Sequence, residues 1–84
     1  MRVLVLGATG LLGSAVFHVL SEQEDWLVFG TLRTEDSKRL FALELTRNLV
    51  VGVDVLDQAD LVRVFEQSKP DVVINCVSLA KPVL

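Results

Sequence analysis

The sequence predicts an α/β fold, a small parallel sheet with flanking helices. Three observations carry this. Short apolar runs rich in β-branched residues recur at 3–6, 26–31, 48–53 and 71–75, with segments of helical period between some of them. The first run is apolar without alternation, as a strand buried on both faces requires. It leads at once into glycines 7, 10 and 13 and an amphipathic stretch, a strand–turn–helix unit at the start of the chain.

Taken in order, residues 3–6 form the first strand. Leu12, Val16, Val19 and Leu20 then share one side of a helix, with Ser14, His18, Ser21 and Glu22 on the other. A polar turn at 22–25 precedes the second strand, 26–31. Residues 32–37 read as a charged loop, and 38–47 as a short helix with Leu40, Phe41 and Leu45 on its apolar side. The third strand is 48–53. A second long helix spans 57–68, with Asp57 as its N-cap, Asp60 in its first turn and an apolar stripe of Leu61, Val62 and Phe65. Lys69 and Pro70 stop it, residues 71–75 form the fourth strand, and the tail from Cys76 leaves the sheet. Strands alternating with helices pair in parallel through right-handed crossovers, and the expected order is 3-2-1-4. No repeat, low-complexity run or linker interrupts the chain.

Composition narrows the function. At 84 residues the chain makes at most one small domain, and 51% hydrophobic content is rich for so short a soluble chain. It suits part of a larger α/β domain. A net charge of −3 with scattered Lys and Arg argues against nucleic acid. The single cysteine, Cys76, makes no internal disulfide or clustered metal site, which fits a reducing cytoplasm. Neither a signal peptide nor a membrane span is expected, because Gly7 breaks the first apolar run.

The glycines have mechanical reasons. Gly7 suits a tight turn that a side chain forbids. Gly10 leaves room for a pyrophosphate against the backbone, and Gly13 lets the helix pack closely on the strand. Free N–H groups and the helix dipole favour an anion at that end. This is the context of a dinucleotide-binding turn, while the plain alternative is a strand-to-helix connection without a ligand. No Lys-Ser/Thr follows, which excludes a Walker phosphate loop.

Gly7-Ala-Thr-Gly-Leu-Leu-Gly13 resembles the cofactor turn of the extended short-chain dehydrogenase/reductases. Within them the chain is most similar to the sugar-nucleotide branch, the dTDP-4-dehydrorhamnose reductase-like proteins. The resemblance runs from Met1 to the end and covers only the N-terminal portion of such a protein. It implies an incomplete NAD(P)-binding Rossmann domain over residues 1–84, with Gly7, Thr9, Gly10, Leu11, Leu12 and Gly13 forming the cofactor turn.

NAD enzymes place an acid at the end of the second strand to hold the ribose hydroxyls. The resemblance puts Thr31 there, neutral, with Arg33 two residues on. A guanidinium suits a 2′-phosphate, so NADP(H) is expected over NAD(H); the bland alternative is a solvated loop arginine. By the same resemblance Asp54 accepts from the adenine amino group with Val55 beside it, although a turn aspartate bonding its own backbone is the competing reading. Asn75-Cys-Val-Ser78 stands where the family carries Asn-Ala-Ala or Asn-Ala-Gly. That places Cys76, Val77 and Ser78 beside the ribose and nicotinamide and gives Asn75 a role tying strands together. Cys76 has no paired base, His18 reads as a surface residue, and Lys81 is either a phosphate contact of a nucleotide sugar or a solvated tail lysine.

The family works a sugar carbon with a Tyr-x-x-x-Lys pair, and this sequence has no tyrosine. The pair and the sugar-binding domain are expected beyond residue 84. The chain is therefore read as the NADP(H)-binding part of a cytoplasmic oxidoreductase acting on a nucleotide sugar, without catalysis of its own. One alternative is a non-catalytic dinucleotide sensor resembling the nitrogen-metabolite repression regulators; another is an interaction fragment with a vestigial pocket. The fourth strand carries Val72, Val73 and Ile74 with no Lys, Pro or bulge to block its edge, so self-association there is also expected.

Overall fold

The computed structural model describes residues 1–77. In chain order these are β1 (Arg2–Leu6), α1 (Leu11–Ser21), β2 (Leu27–Leu32), a 3₁₀ segment (Glu35–Leu40), α2 (Leu43–Thr46), β3 (Leu49–Val51), α3 (Gln58–Ser68) and β4 (Val72–Asn75). The strands form one parallel sheet in the order β3-β2-β1-β4, as expected of a partial Rossmann fold. Register aligns Val3 with Val28 and with Val72, which puts β1 at the centre.

β1 is buried on both faces because each face meets a helix layer. Val3 and Val5 pack with Phe17, Val28, Leu32, Phe41 and Leu49 on the α1 side. Leu4 and Leu6 pack with Val53 and Val64 on the α3 side. At the amino end of β1, Asp71 accepts from the Arg2 N–H at 2.8 Å and Arg2 Nε donates to the Ser68 carbonyl at 2.6 Å. The Arg2 guanidinium also lies over the Phe29 ring, 5.3 Å from its centroid.

Both long helices have the expected period but a shifted phase. α1 buries Gly13 and Phe17, with Val16 and Leu20 packed beside them, and leaves Leu12 and Val19 exposed. Gly13 sets this phase, since a Cβ there would sit 1.8 Å from the Gly7 carbonyl oxygen and no other residue fits against the turn. α3 begins as expected, with Asp57 accepting from the Ala59 and Asp60 N–H groups. It buries Val64 and Ser68 and half-buries Leu61, while Val62 and Phe65 face outward. Ser68 is tolerated inside because its hydroxyl donates to the Val64 carbonyl at 2.7 Å. Lys69 ends α3 in the left-handed region, φ 43°.

The helix expected over 38–47 is absent in that form. Phe41 is extended, φ −120° and ψ 152°, and separates the 3₁₀ segment from α2. Its ring stands edge-on to Phe17, centroids 5.6 Å apart, and this contact draws the chain inward where a continuous helix would have carried it past. Leu40 is exposed as a result.

Candidate functional site

The four strands direct their carboxyl ends to one side, and a cleft of about 800 Å³ opens there. In open parallel sheets this is where ligands bind, at the point where strand order reverses, here between β1 and β4. The volume lies within the usual range for small-molecule sites.

The glycine turn forms one wall. Gly7 has φ +77°, which favours glycine. A Cβ on it would also meet Val77 Cγ2 at 2.9 Å, so the β1 turn and the exit of β4 pack backbone to side chain. Gly10 is the N-cap of α1, with φ −68° and no side-chain cap. Any residue adopts that φ, so no backbone strain calls for glycine here. A Cβ there would meet nothing within 4 Å, so packing does not require glycine either, and Gly10 lines the cleft. The first-turn N–H groups of α1 have no intrahelical acceptor, no side chain caps them, and the first turn holds no acid. Together these leave unpaired N–H donors, the positive end of the helix dipole and open space at the rim of the cleft.

β2 forms the second wall. Thr31 is 2% exposed, and its Oγ1 accepts from the Gly7 N–H at 2.9 Å. Arg33 follows, exposed at the cleft, with no ion pair among the described residues. Beyond β3, Asp54 and Val55 reach the cleft. Asp54 Oδ1 accepts from the Leu56 N–H at 2.9 Å, so the turn role is met by one carboxylate oxygen, and the other has no partner among the described residues. The Asp54 N–H in turn donates to Asp60 of α3 at 3.0 Å.

β4 closes the site with Cys76 and Val77, both half-buried. Asn75 Oδ1 accepts from the Val77 N–H at 3.0 Å, which closes a local turn after β4. The structure thus brings Gly7, Thr9, Gly10, Leu11, Leu12, Thr31, Arg33, Asp54, Val55, Cys76 and Val77 around one cleft. Gly13 lies beneath the turn and off the cleft, and Ser78, with Lys81, falls outside the described residues. Val53 and Leu56, not anticipated, also line it. Their place beside Asp54 at the end of β3 was the available signal. His18 lies away from the cleft, stacked on Phe41 at 5.4 Å, with Nδ1 donating to the Ser14 carbonyl.

Among the described residues no helix is long and apolar enough to cross a membrane. A model of the NAD dependent epimerase/dehydratase family matches residues 3–83. A curated protein of Xenopus laevis, "Methionine adenosyltransferase 2 subunit beta", is 33% identical over 81 residues. The match covers 96% of this chain but 21% of that protein, so the chain spans about a fifth of its relative's length.

Proposed function

This chain belongs to the NAD dependent epimerase/dehydratase family, and from that premise we propose that its cleft binds NADP(H) as the cofactor-binding portion of a dTDP-4-dehydrorhamnose reductase-like oxidoreductase. The observation that supports this most is the cradle at Gly10, open in front of an uncapped helix N-terminus. A pyrophosphate suits it in size and charge. Arg33, just past the end of β2 and without an ion pair among the described residues, supplies the donor fork for a 2′-phosphate, and the neutral Thr31 places no negative charge against one. The remaining Asp54 oxygen is available to the adenine amino group, with Val55 against the ring. Cys76 and Val77 flank the ribose and nicotinamide.

When bound, the cofactor supplies hydride exchange with a 4-keto sugar carried on a nucleoside diphosphate. The residues of this chain bind and orient it. No tyrosine occurs among the 84 residues, so the proton donor of such a reaction belongs to another segment. A second reading is favoured by the relative's name, which makes that protein the beta subunit of a transferase. In that reading the same cleft senses a dinucleotide without catalysing hydride transfer.

Calorimetric titration of the full-length chain with NADP⁺ and NAD⁺ tests the cofactor reading. NADP⁺ should bind tighter by about tenfold or more, the worth of one charge-assisted contact, and Arg33→Ala should bring the two near parity. Tighter NAD⁺ binding, or a preference indifferent to Arg33→Ala, refutes it. NADPH oxidation with a dTDP-4-keto sugar separates the two roles: binding without turnover favours the sensor.

A further inference from the structure

We propose that Thr31 is a positioning residue for dinucleotide binding, acting through the glycine turn it holds; the proposal rests on the cofactor reading above. Two buried polar residues occur among those described, Thr31 and Ser68. Ser68 is satisfied within its own helix. Thr31 reaches across to another element and grips it twice. Its Oγ1 accepts from the Gly7 N–H at 2.9 Å, and its carbonyl accepts from the Ala8 N–H at 3.0 Å.

Those consecutive amides are where the chain leaves β1 and turns, with Gly7 at φ +77°. Cα pairing of β1 with β2 runs as far as Val5 opposite Gly30. The Thr31 carbonyl carries the ladder one step past the end of β1, and its hydroxyl adds a bond that a plain strand residue lacks. With the Gly7 and Ala8 amides spent on the sheet, the next residues of the turn, Thr9, Gly10, Leu11 and Leu12, line the cleft with no acceptor for their amides among the described residues. The turn's orientation, and so the aim of the anion donors, is set from β2.

The same bond limits what Thr31 offers a ligand directly. A carboxylate has two oxygens, enough to hold both a turn amide and a ribose hydroxyl. Threonine has one, turned to the Gly7 N–H in a residue only 2% exposed, and burial withholds its second lone pair from a ribose. The ribose diol therefore loses its customary acceptor, while the turn keeps its clamp.

The test uses the full-length chain with Thr31→Val, which removes the hydroxyl at nearly constant volume, and Thr31→Ser, which keeps it and drops the methyl. NADP⁺, NAD⁺ and adenosine 2′-monophosphate are titrated, the last carrying an adenine end without a pyrophosphate. Thr31→Val should weaken the dinucleotides roughly tenfold and leave adenosine 2′-monophosphate within about twofold. Thr31→Ser should stay within about threefold for every probe. Equal losses on all probes with Thr31→Val would make the residue merely structural, and unchanged dinucleotide affinity would show the clamp irrelevant; either overturns the proposal. If Thr31→Val does not melt cooperatively, Thr31→Ser decides, since a tenfold loss with the hydroxyl present refutes the argument and retention supports it. Wild-type chain binding neither dinucleotide brings down the cofactor reading itself. Wild-type binding with an indifferent Thr31→Val brings down this proposal alone.

Discussion

Replacing Gly13 and Gly10 one at a time should separate the fold from the cradle. At Gly13 an added Cβ lands 1.8 Å from the Gly7 carbonyl oxygen and 2.9 Å from its carbon. Ordinary contact begins at 3.4 Å, so helix and turn must part by about 1.6 Å at that point. The obstacle is backbone, held by Thr31 through the two preceding bonds, and it cannot swing aside as a side-chain tip would. Overpacking costs about 1–3 kcal/mol, and a clash with held backbone belongs at the upper end. The better helix propensity of alanine returns up to about 1 kcal/mol. Gly13→Ala should therefore lose about 2 kcal/mol, a fall of roughly 8–16 °C in Tm for a domain of this size. Gly10→Val meets neither obstacle: its φ is −68° and nothing lies within 4 Å. Its folding cost stays under about 1 kcal/mol, yet its branches occupy the cradle. Circular dichroism melts and NADP⁺ calorimetry on both variants give the contrast. Gly13→Ala should melt early, and Gly10→Val should melt near wild type without binding. A Gly13→Ala Tm within about 3 °C of wild type would refute the helix–turn contact. Undiminished NADP⁺ binding by Gly10→Val would refute the cradle.

Asp57→Ala should cost about 1 kcal/mol, or roughly 4–8 °C in Tm, because two N–H groups of α3 lose their acceptor; Asp57→Ser should recover most of it, and equal melting of the alanine variant would show the cap idle. Among the described residues β4 pairs with β1 alone, and Val72 and Val73 each remain 40% exposed. The 84-residue chain should accordingly self-associate on that edge, with light-scattering mass rising with concentration and falling in Val73→Lys. A constant monomer mass across the dilution series sinks that expectation.

Much of this was legible in the residues because the signals were local. Strand–turn–helix order, the Asp57 cap and the sheet order follow from spacings within a few residues or from general topology. Helix phase was not legible, for a tertiary reason. Leu12 and Val19 outrank Gly13 on any hydrophobic scale, but only Gly13 fits against the Gly7 carbonyl, and it turns Phe17 inward. Phe41 likewise broke a plausible helix through a contact with Phe17, 24 positions earlier in the chain, that no local window contains. At the site, neighbours along the sequence could be named from the turn and the strand ends. The Thr31–Gly7 bond could not, since it depends on how β2 and β1 lie side by side.

The central place of β1 also orders events in time. Val3 pairs with Val28 on one side and Val72 on the other, so its second neighbour is made long after its first. During synthesis β1, α1 and β2 can assemble while one edge of β1 stays open, until the residues of β4 emerge. Closing the longer loop costs about 1 kcal/mol more in chain entropy than closing the shorter one. The Arg2 and Asp71 contact, 69 residues apart, belongs with that late step. A nascent chain therefore presents an apolar strand edge for the whole interval in which β3 and α3 are being made. Among the described residues Cys76 and Val77 follow β4 directly, so that wall of the cleft forms together with the second neighbour of β1.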